Sequence, residues 1–255
     1  MGRLEECRVL VTRPRGRAEE LCRLLEAEGA EVVSLPLLEL LPPENPEPLR
    51  RAAQQIHRFR WIAFSSPAAV EGLVEAAREA GTLDALKRSR IAAIGRATAE
   101  AIRQEGLTVE RQASAGTGSG LFDALRDAIA ASDEVLLPAA QEGRRELQEL
   151  LEHAGVKVTR VDAYRSIHNP LEPTVVAGLK AHPPRLILFA SPRTAQAFLE
   201  AFRQDGREWL SGAEVVAIGP TTASALQALG VRVSAVAEQP TSESFVDAAA
   251  RAIHG

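Results

Sequence analysis

The sequence predicts an α/β fold made of two flavodoxin-like, doubly wound domains, each on a parallel five-stranded sheet. The first observation behind this is an internal repeat. Val215-Val216-Ala217-Ile218-Gly219-Pro220-Thr221-Thr222-Ala223 echoes Ile91-Ala92-Ala93-Ile94-Gly95-Arg96-Ala97-Thr98-Ala99 at a spacing of 124, and Gly106 and Gly230 follow at the same spacing. Phe64-Ser65-Ser66-Pro67 returns 125 residues on as Phe189-Ala190-Ser191-Pro192, and Leu21, Leu24, Leu25 and Gly29 return 126 residues on as Leu147, Leu150, Leu151 and Gly155. A period this long is a doubled domain rather than a solenoid. The second observation is that short apolar runs alternate with helix-period segments, the pattern of parallel strands covered on both faces. The third is the junction after several of these runs. A small residue permits a tight turn, and a proline or hydroxyl residue then starts a helix, where a missing N–H is no loss.

Arg8 to Thr12 reads as the first strand, with Arg13-Pro14-Arg15-Gly16 as the loop at its C-terminal end. Residues 17–28 follow as an amphipathic helix stopped by Gly29. Residues 31–35 are a second strand, and Leu37 to Asn45, with Pro42 and Pro43, reads as a connection. A helix over 46–57 leads to a strand at 61–64. Further strands are expected near 91–94, 107–110, 134–137, 157–161, 185–189, 214–217 and 231–234. Single helices between them imply right-handed crossovers and parallel sheets. Gly116-Thr117-Gly118-Ser119-Gly120 reads as a flexible loop before a helix near Leu121. It does not join strand to helix at the spacing of a dinucleotide-binding turn.

Composition narrows the function. The chain is 45% hydrophobic and 25% charged, as in a soluble globular protein, and its 255 residues suit two domains of about 125. A net charge of −4 offers no global basic field for nucleic acid. No signal-peptide-like run precedes the first strand and no run is long enough to span a membrane, so a cytoplasmic protein without membrane contact is expected. Cys7 and Cys22 form no C-x-x-C, and the five histidines form no ligand pattern, so neither a metal nor another cofactor is expected.

In doubly wound sheets ligands bind beyond the C-terminal ends of the strands. Those ends carry Thr12-Arg13-Pro14-Arg15, Ser65-Ser66-Pro67, Gly95-Arg96-Ala97-Thr98, Pro138-Ala139-Ala140, Ala190-Ser191-Pro192-Arg193 and Gly219-Pro220-Thr221-Thr222. Hydroxyls, arginines and helix N-termini dominate, and Asp, Glu, His and Cys are missing from all six. Triad, thiol, metal and paired-carboxylate chemistry therefore have little support. Ser66 and Ser191 precede prolines at helix starts and are N-caps on the plain reading; Thr98, Thr221 and Thr222 likewise suit first helical turns. Their occurrence at matching ends of both copies makes them candidate anion-binding residues alongside the backbone amides. Arg13, Arg15 and Arg193 are candidates for carboxylate recognition. Tyr164, the only tyrosine, lies just past the strand at 157–161, where a packing role or a cleft role is open.

Taken together, Val11-Thr12-Arg13-Pro14, Phe64-Ser65-Ser66-Pro67-Ala68-Ala69-Val70, Ala93-Ile94-Gly95-Arg96-Ala97-Thr98-Ala99, Tyr164, Phe189-Ala190-Ser191-Pro192 and Ala217-Ile218-Gly219-Pro220-Thr221-Thr222-Ala223 make the chain resemble the uroporphyrinogen-III synthase family. The pieces follow the family order across almost the whole chain. One departure is Ala68, where some members carry a basic residue after Ser-Pro. The resemblance implies a crossed-over domain pairing that periodicity alone leaves open. One domain comprises 1–35 plus 169–255, the other is 41–161, and two extended linkers at 36–40 and 162–168 join them around a ligand cleft. It also implies a lyase of tetrapyrrole biosynthesis acting on hydroxymethylbilane, a linear tetrapyrrole with eight carboxylates. Loss of the terminal hydroxyl as water leaves an azafulvene. The substituted α-carbon of ring D attacks it to give a spirocyclic pyrrolenine, and fragmentation and reclosure invert ring D. On this reading Tyr164 is the catalytic proton donor. Arg13, Arg15, Ser66, Thr98, Ser191, Arg193, Thr221 and Thr222 bind substrate, and the enzyme is a monomer with no cofactor and no nucleic-acid or membrane partner. The alternative is a non-enzymatic two-domain binding protein for a small polyanion, which shares the fold and the rims.

Overall fold

The computed structural model describes residues 2–14, 16 and 18–254. In chain order the elements are β1 (Arg8–Val11), α1 (Glu19–Ala27), β2 (Glu31–Ser34), β3 (Leu38–Leu41), α2 (Glu47–Gln54), β4 (Trp61–Phe64), α3 (Pro67–Glu79), α4 (Leu83–Lys87), β5 (Arg90–Ala93), α5 (Arg96–Gln104), β6 (Arg111–Gln112), α6 (Gly118–Leu125), β7 (Glu134–Ala140), α7 (Glu146–His153), β8 (Lys157–His168), α8 (Pro173–Ala181), β9 (Leu186–Phe189), α9 (Pro192–Gly212), β10 (Glu214–Ala217), α10 (Pro220–Ala228), β11 (Ala235–Val236) and α11 (Ser242–His254). They form two units: Met1–Glu39 with Ile167–Gly255, and Leu40–Ser166.

The first unit holds a sheet in the order β11-β10-β9-β1-β2, with every neighbouring pair parallel. Side chains alternate between its faces, as strand geometry requires. Val9, Val11, Leu186 and Leu188 pack with α1 and α11, while Leu10, Ile187 and Phe189 pack with α8, α9 and α10. Both faces being covered explains the continuous apolar run of β9. Helix α9 breaks at Arg203, where φ is 47°.

The second unit holds a sheet in the order β3-β8-β7-β4-β5-β6, of which β8, β7, β4, β5 and β6 form the parallel set. Ile62 and Phe64 pack with α2, α3, α4 and α5; Trp61 and Ala63 pack with α6 and α7. The sixth strand departs from expectation. Residues 38–41, read as connection, form edge strand β3 beside β8, and β8 itself runs on to His168 through the stretch read as a linker. In Leu38-Glu39-Leu40-Leu41 only Leu38 is buried and Glu39 is exposed, a contrast that fits an edge strand once a partner is present.

The repeat is repeated in backbone detail. Gly29, Gly155, Gly106 and Gly230 all take positive φ, 86°, 80°, 71° and 78°, just past a helix, where a Cβ is penalised. Leu107 N–H returns to the Ile102 carbonyl at 3.1 Å, and Val231 N–H returns to Leu226 at 2.9 Å. These residues finish a helix end rather than opening a strand. That is why β6 and β11 begin downstream of the expected 107–110 and 231–234. The pairs Glu110 N–H to Ile91 and Ser234 N–H to Val215, both 2.8 Å, then start the two ladders.

Candidate active site

Parallel strands bring their C-terminal ends to one edge of each sheet, so each unit presents its own rim. In the second unit the rim contains Ser66, Gly95-Arg96-Ala97-Thr98 and Tyr164. Ser66 is the N-cap of α3, with its hydroxyl accepting from Ala69 N–H at 3.2 Å. The same hydroxyl donates to the Tyr164 hydroxyl at 3.1 Å. Sequence separation of 98 residues is closed here by the β4–β7–β8 pairing.

Tyr164 reaches Ser66 because β8 is bulged. Along the β7–β8 ladder Ala139 pairs with Asp162, and Ala140 pairs with Tyr164, leaving Ala163 as the extra residue. Strict alternation would send Val161 and Ala163 to one face and Tyr164 to the other. With the extra residue, all three side chains pack on the same core, next to α3. Re-aiming a side chain is what a bulge does. Two further features hold it. Gly72 in α3 lets the helix close on the bulge: a Cβ there would lie 2.6 Å from the Ala163 carbonyl oxygen. Arg160, whose side chain is only 12% exposed, donates to Asp162 at 2.7 Å and to the Ala140 carbonyl. Neither Gly72 nor Arg160 stood out in the sequence. Only their three-dimensional neighbours give them meaning.

Gly95 and Gly219 are the N-caps of α5 and α10, both fully extended, and neither helix start is capped by a side chain. Helix geometry leaves the first N–H groups of each without an intrahelical acceptor. Thr98 and Thr222 are buried, 2% and 3% exposed, whereas Thr221 and Arg96 are not. Of the two threonine hydroxyls on α10, Thr221 is thus the one that solvent reaches.

The remaining expected residues belong to the first unit. Ser191 caps α9 in a closed capping box: Thr194 N–H donates to its hydroxyl at 3.2 Å, and the two hydroxyls are 3.2 Å apart. Arg193 on the same turn is exposed. The Arg13 guanidinium lies 6.0 Å from the centre of the Phe245 ring, a cation–π contact. Arg15 lies outside the described residues. Thr12 is fully buried and donates to the Leu188 carbonyl at 2.9 Å, so it ties β1 to β9.

Chemistry elsewhere is sparse among the described residues. No group of three or more His, Cys, Asp or Glu side chains is placed to hold a metal. Among the described residues no helix is long and apolar enough to cross a membrane. Burial pushes the Cys7 and Cys22 thiols up, away from the reactive thiolate. A groove of about 400 Å³ lies between α2 and β8, at the start of β7, lined by Arg51, Arg58, Glu134 and Arg160. Its charges are largely matched internally, with Arg51 on Glu47 at 2.9 Å and Arg58 on Glu134 at 3.5 Å.

A family model for uroporphyrinogen-III synthase HemD matches residues 19–247. A relative in Methanothermobacter thermautotrophicus is 32% identical over 229 residues, covering 87% of this chain and 89% of its own. The uroporphyrinogen-III synthase of Synechococcus elongatus is 28% identical over 246 residues, covering 93% and 92%. Among solved structures, a mutant uroporphyrinogen III synthase from the extremely thermophilic bacterium Thermus thermophilus superposes with a TM-score of 0.71 at 22% identity, covering 97% of this chain and 99% of that one. That likeness is one of fold.

Proposed function

The chain belongs to the uroporphyrinogen-III synthase family, and from that premise we propose that it converts hydroxymethylbilane to uroporphyrinogen III. The observation that carries this reading is the ordered family match across 19–247. The reaction expels water and forms carbon–carbon bonds with no net oxidation, which makes the enzyme a lyase and requires no redox partner. The linear substrate readily loses its terminal hydroxyl, and unaided closure gives the isomer without ring inversion. The enzyme's task is therefore to hold one conformation through the closure, a contribution of position and orientation.

The substrate carboxylates are assigned to the rim groups. The first-turn N–H groups of α5 and α10 are ready anion donors, favoured by the helix dipoles. The Thr221 hydroxyl and the Arg13 and Arg193 guanidiniums add charge-assisted or neutral hydrogen bonds. A protein of net charge −4 binds a polyanion on this account because the donors are local. The Tyr164 hydroxyl is assigned the proton that goes to the departing hydroxyl. A phenol O–H can donate a hydrogen bond, and the leaving group is labile, so the help required is at or below the low end of the ~10²- to 10⁴-fold usual for general acids.

The test is incubation with hydroxymethylbilane and separation of the product isomers. The type III isomer in excess of the spontaneous ratio, retained after exhaustive chelation and dialysis, is the expected result. An unchanged ratio would mean a binding protein, and activity restored only by an added metal would overturn the cofactor-free part of the reading.

A further inference from the structure

The Ser66 hydroxyl is committed on both sides. Its oxygen accepts from the Ala69 N–H at 3.2 Å and its single proton goes to the Tyr164 oxygen at 3.1 Å. With Ser66 as donor, Tyr164 is the acceptor in this pair, which leaves the phenol's own proton for another partner. The duplicated half shows what the same serine does without a phenol. There Ser191 closes on Thr194, three residues later, in a reciprocal capping box. The residue three after Ser66 is Ala69, which has no hydroxyl to take up the serine's proton. An alanine in place of a threonine leaves that proton for Tyr164, and the Ala163 bulge delivers Tyr164 to it.

We propose that Ser66 is a positioning residue for Tyr164: by donating to the phenol oxygen from a helix cap, it fixes the phenol as an outward donor and supports the charge that develops as its proton leaves. The helix N-terminus behind Ser66 acts in the same sense, since it favours negative charge. This inference rests on the assignment of Tyr164 as proton donor. It removes the Ser66 side chain from the set that binds carboxylate directly, because its proton is already used. No step is added to the reaction; what is fixed is the direction in which one proton points.

The test is a double-mutant cycle on the full-length enzyme with hydroxymethylbilane, measuring kcat and KM. Ser66→Ala is expected to lower kcat about three- to tenfold, the range for one lost hydrogen bond, with KM little changed. Ser66→Thr keeps the hydroxyl and should restore most of the rate. Ser66→Asp keeps the cap acceptor but offers no proton, so Tyr164 would turn its own proton inward; kcat should fall at least as far as in Ser66→Ala while the melting temperature stays near wild type. In a Tyr164→Phe background, Ser66→Ala should cost nothing further. Equal losses in both backgrounds, or wild-type kcat in Ser66→Asp, would overturn the proposal and leave the Tyr164 assignment standing. Wild-type kcat in Tyr164→Phe would overturn both. A second readout avoids turnover: the chain has one tyrosine, so 13Cζ-tyrosine labelling gives one ring resonance. It should move in Ser66→Ala and return in Ser66→Thr, and a resonance that does not move would refute the contact.

Discussion

Gly72→Ala is the substitution that most directly tests how Tyr164 is held. In most helix interiors this change is favourable by roughly 1 kcal/mol, because alanine loses less backbone freedom on folding. Here the new Cβ would lie 2.6 Å from the Ala163 carbonyl oxygen and 3.3 Å from the Ala163 carbonyl carbon. The optimum for such contacts is about 3.5 Å, so α3 and the bulge must part by roughly an ångström. The obstacle is backbone, which no rotamer change relieves. Overpacking of this kind costs about 1–3 kcal/mol, enough to cancel or exceed the helix gain. The same displacement stretches the Ser66–Tyr164 contact from 3.1 Å towards about 4 Å, beyond hydrogen-bond range. The expected outcome is a melting temperature at or below wild type, together with a kcat reduced about three- to tenfold, as in Ser66→Ala. Gly178→Ala in α8 is the control, since the nearest atom to its new Cβ is 3.9 Å away. It should raise stability by up to ~1 kcal/mol, or about 2–4 °C. Calorimetry and the isomer-resolved assay check both. A Gly72→Ala protein that melts higher than wild type and turns over normally would refute the argument that α3 clamps the bulge.

The other predictions are smaller. Gly106→Ala and Gly230→Ala occupy equivalent positive-φ helix ends with open space around them, so each should cost about 1–2 kcal/mol in denaturant melts, the two values agreeing within error. Thr221→Ala should weaken product binding by about 0.5–1.5 kcal/mol without changing the melting temperature, whereas Thr222→Ala, at a buried site, should lower it; titration calorimetry and thermal melts separate them. The Glu28 carboxylate is held down at about 2 by the Arg3 side chain, from an ordinary value near 4.5. A depressed carboxylate stabilises the fold above its unfolded value, and that stability is lost as pH falls from about 4.5 towards 2. Arg3→Ala should therefore flatten the acid limb of the stability curve in that window, modestly, because the pair is exposed. We also propose that residues 40–166 expressed alone fold cooperatively while 1–130 do not, by circular dichroism and urea titration; a cooperative transition for 1–130 would contradict the crossed-over pairing.

The two-fold repetition was readable because its signals are local. Gly29, Gly106, Gly155 and Gly230 each end a helix by a rule that needs only neighbouring residues, and Ser66 and Ser191 are caps by the same kind of rule. The short apolar runs of β4 and β9 told of burial on both faces before any partner strand was known. Edge strands β3, β6 and β11 were missed or displaced because their extent is set by the neighbour they pair with, and a four-residue run such as Leu38–Leu41 has no periodicity of its own to declare. The burial of Thr98 and Thr222, one residue after the exposed Ala97 and Thr221, also lies beyond a reading that sees only hydroxyls near a helix start.

What was least legible is what makes the two halves differ. The sequence marks Ser66 and Ser191 as equivalents and Tyr164 as solitary, but it does not connect the tyrosine to either serine. That connection needs one extra residue at Ala163 to turn a side chain across the sheet, one glycine at position 72 to admit it, and one alanine at position 69 in place of a threonine. Each is an ordinary small residue with no chemistry of its own. A duplicated scaffold supplies two similar candidate anion-binding rims, and likeness alone does not distinguish the ends of a polyanion. Closing a linear tetrapyrrole in one sense requires that the ends be distinguished, and on the proposed reading a single phenol held by one serine would supply that asymmetry. The structural difference between the halves thus sits in one inserted residue and two small residues around one hydroxyl pair, where a search for reactive side chains has no reason to look.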